Sequence, residues 1–436
     1  MSWRRCPNLC ARIWGLKPFE NSVLTLTMMP VNTQWLIVSV KESVMFPQTL
    51  DETWLLMPNR RYILNANRLG PIEQLIASTS EFDGASLYNR LTAGKNITGA
   101  KILVERNRER GLGDLLFLTG PLGFMNHISG SDVEIDVMAF ADRGVVLTHS
   151  PLIHNGCVKC GPLEYDHLRL YNYHWLINTI TEQDMEGDQL NVYDAMYQQL
   201  GFDPQGIEAR WKKPSVTLVA ADFLNLDRLY KYIWEQRQID LRRIGYIVVA
   251  PFTNANPRCM NYARWLEIIK ALSTRRPVVV VGNSSLRLPM MDISAGDFNQ
   301  RVATIGGGVF NAVDSTPVRV LMALIARSFC VVGLDSAPVY LAQALNVPAI
   351  SLWGTHAPGA RIGYDKNMMD LAIWKSEACP YAPCFAYGKF PENKCPDGVQ
   401  QVCCEVTASV SVDDVLKKVD MVETASAPVG LFAPKA

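Results

Sequence analysis

Residues 101–140 read KILVERNRERGLGDLLFLTGPLGFMNHISGSDVEIDVMAF, and this stretch sets the expectation for the fold. KILVE (101–105) reads as a buried strand, and RNRERGLGD (106–114) as a polar, glycine-bearing turn. LLFLTGPLGFMNHI (115–128) reads as an apolar helix that breaks or restarts near Pro121, because proline lacks the N–H a helix interior needs. VEIDVMAF (133–140) is a second strand. Strand, glycine turn, helix, strand is the order of a right-handed βαβ unit.

The same alternation returns further on. NVYDAMYQQLGFDP (191–204) reads as a helix closed by Gly201, and the charged stretch 222–243 as a helical connector. Strands then fall at 243–252, 277–283, 329–336 and 347–354, with helices at 262–276, 318–328 and 338–346. These strands are continuous apolar runs, the pattern of a parallel sheet covered on both faces. The expectation is α/β: two Rossmann-like domains at 99–235 and 236–420, an N-terminal extension over 1–98 and a tail over 421–436. In the extension, 35–40 and 53–58 read as strands and 71–78 as a helix. Ligands of such sheets sit at the carboxyl ends of the strands, in the crevice between the halves.

Composition narrows the classes. At about 100–200 residues per domain, 436 residues make two or three domains. Apolar residues at 48% and charged residues at 19% exclude wholesale disorder, collagen and coiled coil. With 42 Lys+Arg against 42 Asp+Glu, the chain has no global electrostatic grip on nucleic acid. No charge-free apolar run approaches the ~18 residues of a membrane span. Arg4, Arg5 and Arg12 precede a stretch interrupted by Pro18, Glu20 and Asn21, without the apolar core of a leader, so the expected location is cytoplasmic. Eleven cysteines, an odd number, do not make a secreted disulfide scaffold.

Five places could carry chemistry, each with a structural alternative. In Gly111-Leu112-Gly113-Asp114 the glycines allow a tight turn and close approach to a ligand, and Asp114 is either a helix cap or a general base at the crevice mouth. Leu334-Asp335-Ser336-Ala337-Pro338 joins a strand to a helix. It is an anion site made by exposed backbone N–H groups, or an ordinary turn. Gly354, Thr355 and His356 offer close approach and donors, or form a solvated loop. Thr253 and Arg258 reach phosphate oxygens, or Arg258 is a surface residue. Cys379, Cys384, Cys395, Cys403 and Cys404 fall within 26 residues. The first four are candidates for a structural metal site, although their spacing is not that of a standard zinc ribbon, and reduced packing thiols are the alternative. Cys157-x2-Cys160 is a lone pair of lesser weight.

In this order the pieces resemble glycosyltransferase family nine, the ADP-heptose:lipopolysaccharide heptosyltransferases and their relatives. RGLGDLLFLTGPL (110–122), RCMNYARWLEII (258–269) and above all LDSAPVYLAQALNVPAISLWGTHAP (334–358) carry the resemblance, with the cysteine-rich segment and VTASVSVDDVLKKV (406–419) behind them. It covers roughly 100–420. It implies the GT-B fold, two Rossmann-like domains facing across a cleft, with the C-terminal one holding a nucleotide-sugar. It makes Asp114 the general base, with Gly111 and Gly113 in an acceptor-side loop. Thr253, Arg258, Asp335, Ser336, Ala337, Tyr340, Gly354, Thr355 and His356 fall on the donor side. The implied reaction is metal-independent, inverting transfer from an ADP- or UDP-linked sugar to an acceptor glycan, with no other cofactor. Ala337 replaces the family's usual Gly, Tyr340 its His and Arg258 its Lys; Met260-Asn261 replace Trp-Pro, and His356 stands near a usual Thr. Other readings stay open at this level: a glycosyltransferase acting on a hydroxymethylated base in DNA, a non-catalytic nucleotide-sugar binder, and a sugar-nucleotide epimerase.

Overall fold

From residue 100 onward, the alternation of apolar strands and helices folds into two parallel sheets. The structure, a computed structural model, describes residues 35–40, 43–49, 52–58, 60–65, 79–83, 97–105, 111–139, 141–154, 157–158, 163–164, 170–176, 190–200, 202–253, 258–284, 292–384 and 404–426. The helix read at 71–78 lies outside them. The chain divides into two units, residues 1–87 with 162–165, and residues 88–161 with 166–436.

The first unit is antiparallel. Strands β1 (Trp35–Val40), β4 (Arg61–Asn65), β5 (Thr79–Asp83) and β9 (Leu163–Glu164) pair in the order β5-β1-β4-β9, and β2 (Val44–Thr49) with β3 (Glu52–Leu56) forms a separate hairpin. The pairing of Tyr62 with Glu164 and Ile63 with Leu163 inserts a piece of distant sequence, which no local pattern announces.

In the second unit, β6 (Ala100–Glu105), β7 (Val133–Met138), β8 (Cys157–Val158) and β10 (Tyr173–Leu176) make a parallel sheet of order β10-β6-β7-β8. Helix α1 (Leu112–Ile128) links β6 to β7. It runs unbroken through Pro121, contrary to the expected interruption. The proline's missing N–H removes one backbone bond, but residues Leu115–Gly123 and Met125 are buried, so packing on every side holds the helix. Thr119 adds to this: its Oγ1 donates to Leu116 O at 2.7 Å and accepts from Ser215 N at 2.7 Å. Helix α2 (Val192–Gln199) ends at Leu200 and is capped at its start by Asn191. Helix α3 (Ala220–Arg237) is the expected connector, and it stops where Gln238 turns left-handed at φ 58°.

Five strands form the second sheet: β11 (Ile247–Ala250), β12 (Val278–Val280), β13 (Val309–Asn311), β14 (Cys330–Leu334) and β15 (Ala349–Leu352), all parallel, in the order β13-β12-β11-β14-β15. Strand β11 is shorter than the expected 243–252, because Leu241–Ile244 form a turn of helix. Helices α4 (Tyr262–Ser273), α5 (Ala295–Thr304), α6 (Val318–Ala326) and α7 (Ala337–Ala344) alternate with the strands. After β15 come α8 (Gly359–Ile362), α9 (Lys366–Leu371), α10 (Glu405–Ala408) and α11 (Val412–Ser426). Strands β11, β14 and β15 are buried along their whole length, which accounts for their unbroken apolar sequence.

Glycines of α1 admit the segment that leads to α3. A Cβ on Gly120 would fall 2.4 Å from Trp211 O, and one on Gly123 3.0 Å from the Trp211 ring. Trp211 O is also pinned by the Tyr197 hydroxyl at 2.9 Å, so it has little room to give. In an exposed helix Gly→Ala gains about 1 kcal/mol. Gly120→Ala is expected to do the reverse and cost about 1–3 kcal/mol through overpacking, read as a lower melting temperature.

Candidate active site

In the five-stranded sheet, the chain leaves neighbouring strands β11 and β14 toward opposite sides, which makes their carboxyl ends the switch point where ligands bind. From β11 the chain delivers Thr253, 4% exposed, and then Arg258. From β14 it delivers Asp335 and Ser336, the cap of α7. Ser336 has extended backbone, and its hydroxyl donates to Leu334 O at 3.2 Å instead of capping the helix, so the first-turn N–H groups receive no side-chain oxygen from it.

Asp335 is the hub. It is 2% exposed, and the Tyr340 hydroxyl donates to its Oδ1 in a short hydrogen bond. Arg258 Nη1 donates to the Asp335 carbonyl at 3.1 Å and lies 3.7 Å from Oδ2. Arg258 is therefore a partly buried partner of the turn and not a surface residue. Oδ2 itself receives no hydrogen bond among the described residues. Burial opposes ionisation of Asp335. The charges of Arg258, His356 and Arg361 and the Tyr340 hydroxyl outweigh it and hold the carboxyl below the ordinary carboxylate range. Burial and the adjoining carboxylate push the Tyr340 phenol well above its usual value, so it stays a donor.

The glycine turn meets this hub from the other sheet. Gly111, not Asp114, is the cap of α1, and Asp114 is in the first turn. The Asp114 carboxylate folds back over Gly111, where a Cβ would fall 2.2 Å from its Oδ2. At Gly113 a Cβ would fall 3.0 Å from Tyr340 Cδ2 and 3.9 Å from the Ala337 backbone nitrogen. One turn on, Phe117 packs edge-on against Tyr340 with centroids 4.5 Å apart. The loop read as acceptor-side and the turn read as donor-side thus touch through Gly113, Phe117 and Tyr340.

The segment after β15 closes the site and is buried rather than solvated. Thr355 and His356 are each 2% exposed. Gly354 O accepts from Trp374 Nε1 at 3.1 Å, and Thr355 O from Cys384 N at 3.1 Å. Thr355 Oγ1 has no hydrogen-bond partner among the described residues. The sequence reading assigned no role to Phe117, an apolar position within 110–122, or to Arg361, outside every motif; only the fold brings Phe117 to Tyr340 and Arg361 to Phe117. Of the cysteines, Cys379, Cys384 and Cys404 are described, and Cys160, Cys395 and Cys403 are not. Burial pushes the Cys404 thiol up to about 12, with Cys384 and Cys379 near enough to add to the shift. Among the described residues, no group of three or more His, Cys, Asp or Glu side chains is arranged to hold a metal ion. No described helix is long and apolar enough to cross a membrane.

Residues 220–390 match the profile of glycosyltransferase family 9 (heptosyltransferase). The chain is a glycosyltransferase, similar over this segment to the heptosyltransferases. Lipopolysaccharide heptosyltransferase 3 of Escherichia coli K12 is 25% identical to it over 286 residues, 56% of this chain and 79% of that protein. Two solved structures carry the GT-B likeness. One is a glycosyl transferase family 9 protein from Veillonella parvula, with TM-score 0.51 and 12% identity, covering 78% of this chain and all of that one. The other is TibC, an iron-containing dodecameric glycosyltransferase from enterotoxigenic E. coli, with TM-score 0.54 and 15% identity, covering 85% and 87%. In this heptosyltransferase-like chain the matched segment contains Thr253, Arg258, Asp335, Ser336, Ala337, Tyr340, Gly354, Thr355 and His356, whereas Asp114 lies upstream of it.

Proposed function

We propose that the protein transfers a sugar from a nucleotide-sugar to an acceptor hydroxyl, with inversion at the anomeric carbon and without a metal ion. The observation that supports this reading is the contact of Gly113, the residue before Asp114, with Tyr340 and the start of α7, the helix that follows the proposed anion-binding turn. Asp114 takes the proton of the acceptor hydroxyl. That oxygen attacks the anomeric carbon, the bond to the diphosphate oxygen breaks, and the nucleoside diphosphate leaves with the electron pair. Arg258 and the N-terminal N–H groups of α7 receive the developing charge. The buried oxygens Asp335 Oδ2 and Thr355 Oγ1, which have no hydrogen-bond partner among the described residues, suit the hydroxyls of a bound sugar.

An ADP-linked donor is the preferred reading, because TibC has been solved with ADP-D-β-D-heptose. A lipopolysaccharide-type glycan is the preferred acceptor, from the name of the E. coli relative. No relative reported above names DNA, and that alternative has no further support. Cys379, Cys384, Cys395 and Cys403 remain proposed as a structural metal site on their clustering and on the iron of TibC. Cys395 and Cys403 lie outside the described residues, and no step of the reaction runs through a metal.

The test is a thermal-shift panel of ADP, UDP and GDP and of their sugar conjugates, in EDTA. At a ligand concentration 100 times Kd, binding adds about 2.7 kcal/mol and raises the melting temperature. A shift with ADP and ADP-sugars above the others supports the donor reading. No shift with any member sinks it.

A further inference from the structure

Tyr340 stands in the first turn of α7, and the reaction above gives its hydroxyl no part. The side chain is buried, and its neighbours fix its place. Phe117 packs edge-on against the ring, with centroids 4.5 Å apart. A Cβ on Gly113 would fall 3.0 Å from Tyr340 Cδ2 and 3.2 Å from Cε2, so α1 leaves the ring no slack where they meet. The hydroxyl donates to Asp335 Oδ1, five residues back in the chain. Burial and that carboxylate keep the phenol protonated, so the donor is permanent.

The backbone of Asp335 is held as well. Its N–H donates to Leu352 O on β15 at 3.2 Å, and its carbonyl accepts from Arg258 Nη1 at 3.1 Å. What is left to settle is the rotation of the carboxylate about its own side-chain bonds. An ionised carboxylate has two accepting oxygens and no donor. The Tyr340 bond takes Oδ1 and so decides where Oδ2 stands. Oδ2 is 3.7 Å from Arg258 Nη1, too far for a hydrogen bond, and accepts none among the described residues. A buried carboxylate oxygen without a donor is costly, and a ligand hydroxyl is a group that relieves the cost.

We infer that Tyr340 is a positioning residue for the transferred sugar: its hydroxyl holds Asp335 Oδ1, so that Oδ2 is kept for a hydroxyl of that sugar. The inference rests on the donor reading above and deepens it, by separating recognition of the sugar from recognition of the diphosphate. Phenylalanine at this position keeps the ring against Phe117 and Gly113 and loses only the hydroxyl. Asp335 Oδ1 is then without its donor, and the carboxylate is free to turn either oxygen toward Arg258.

The experiment is calorimetric titration of wild type, Tyr340→Phe, Asp335→Asn and the double variant with ADP, ADP-D-β-D-heptose, UDP and UDP-glucose. The quantity read is the ratio of Kd for the nucleotide-sugar to Kd for its nucleoside diphosphate. Tyr340→Phe is expected to raise that ratio by about tenfold for the nucleotide that wild type binds, and to leave the nucleoside diphosphate itself within about twofold. Asp335→Asn is expected to raise the ratio too, and the double variant no further, because Tyr340 acts through Asp335. Gly113→Ala keeps the hydroxyl but crowds the ring. It is expected to raise the ratio by less, and it decides the question if Tyr340→Phe does not fold. An unchanged ratio overturns the assignment, and one that is unchanged because both ligands weaken equally marks a packing role. A further rise in the double variant also overturns it. A wild type that binds a nucleoside diphosphate but neither sugar conjugate overturns the assignment and leaves the diphosphate site standing. One that binds none of the four probes overturns the donor reading itself.

Discussion

Asp114→Asn is expected to lower kcat by about 10^2–10^4-fold, the usual contribution of a positioned general base, while nucleotide-sugar binding stays within about twofold of wild type. Asn is nearly isosteric and keeps the space that Gly111 leaves for this side chain. It removes the negative charge and the proton acceptor. The loss of a carboxylate from the first turn of α1 costs at most about 1 kcal/mol of helix-dipole stabilisation, too little to unfold the chain. The thermal shift with the nucleoside diphosphate serves as the control, because the proposed donor site is on the opposite sheet. Undiminished turnover on a proven donor–acceptor pair would falsify the role given to Asp114. A parallel loss of nucleotide binding would instead mean that Asp114 holds the Gly113–Tyr340 contact in place.

The second large effect is at a clasp within the same unit. Arg319 on α6 donates from Nε to Asp222 Oδ1 at 2.9 Å and from Nη2 to Asp222 Oδ2. It also donates to Thr217 O at 2.9 Å and to Thr148 O at 3.1 Å. One side chain thus ties the five-stranded half to the segment entering α3 and to the loop after β7. Asp222 is buried and Arg319 mostly so, with side-chain exposures of 7% and 13%. Arg319→Ala leaves Asp222 buried without its cation and two carbonyls without their donor. It is expected to cost about 3–5 kcal/mol. The double variant Arg319→Met, Asp222→Asn is expected to recover a large part of this, since no lone buried charge remains.

The pH dependence has a defined sign. Burial disfavours the charged form of Asp222, but Arg319 and the Val219 N–H outweigh it, so its folded pKa lies below the ordinary value. Stability from the pair is therefore present above the unfolded carboxylate range, about pH 4, and is lost as pH falls through the folded value. Melting curves of wild type and Arg319→Ala are expected to converge in acid and diverge toward neutral pH. A gap that does not change with pH would show that the loss is one of packing alone.

Much of the five-stranded half was legible in the sequence. Apolar runs at 277–283, 329–336 and 347–354 are strands because a sheet buried on both faces needs apolar side chains on both. The turn at 334–338 reads as a ligand site because a strand that ends in Asp-Ser before a helix leaves N–H groups exposed. The roles of Gly111 and Asp114 were less legible. A short acidic residue near a helix start suggests a cap, but the glycine takes that position and the aspartate turns back over it. Pro121 was misleading for a related reason. The rule that proline breaks helices assumes a helix that must satisfy itself, and α1 is surrounded by protein along most of its length.

By itself the sequence determined six of the nine strands in the two parallel sheets, all but β8, β10 and β13, and the turns that expose chemistry. Those features rest on periodicity and on residues whose backbone preferences act locally. The tertiary structure alone decided that Gly113 meets Tyr340, that Phe117 packs against Tyr340 with Arg361 over its ring, and that Arg319 clasps Asp222 and Thr148. These contacts join segments far apart in the chain. Periodicity tells a residue which way to face, but not which distant surface it will face. That is fixed by the order in which strands pair and by the few packings that leave no buried charge without a partner.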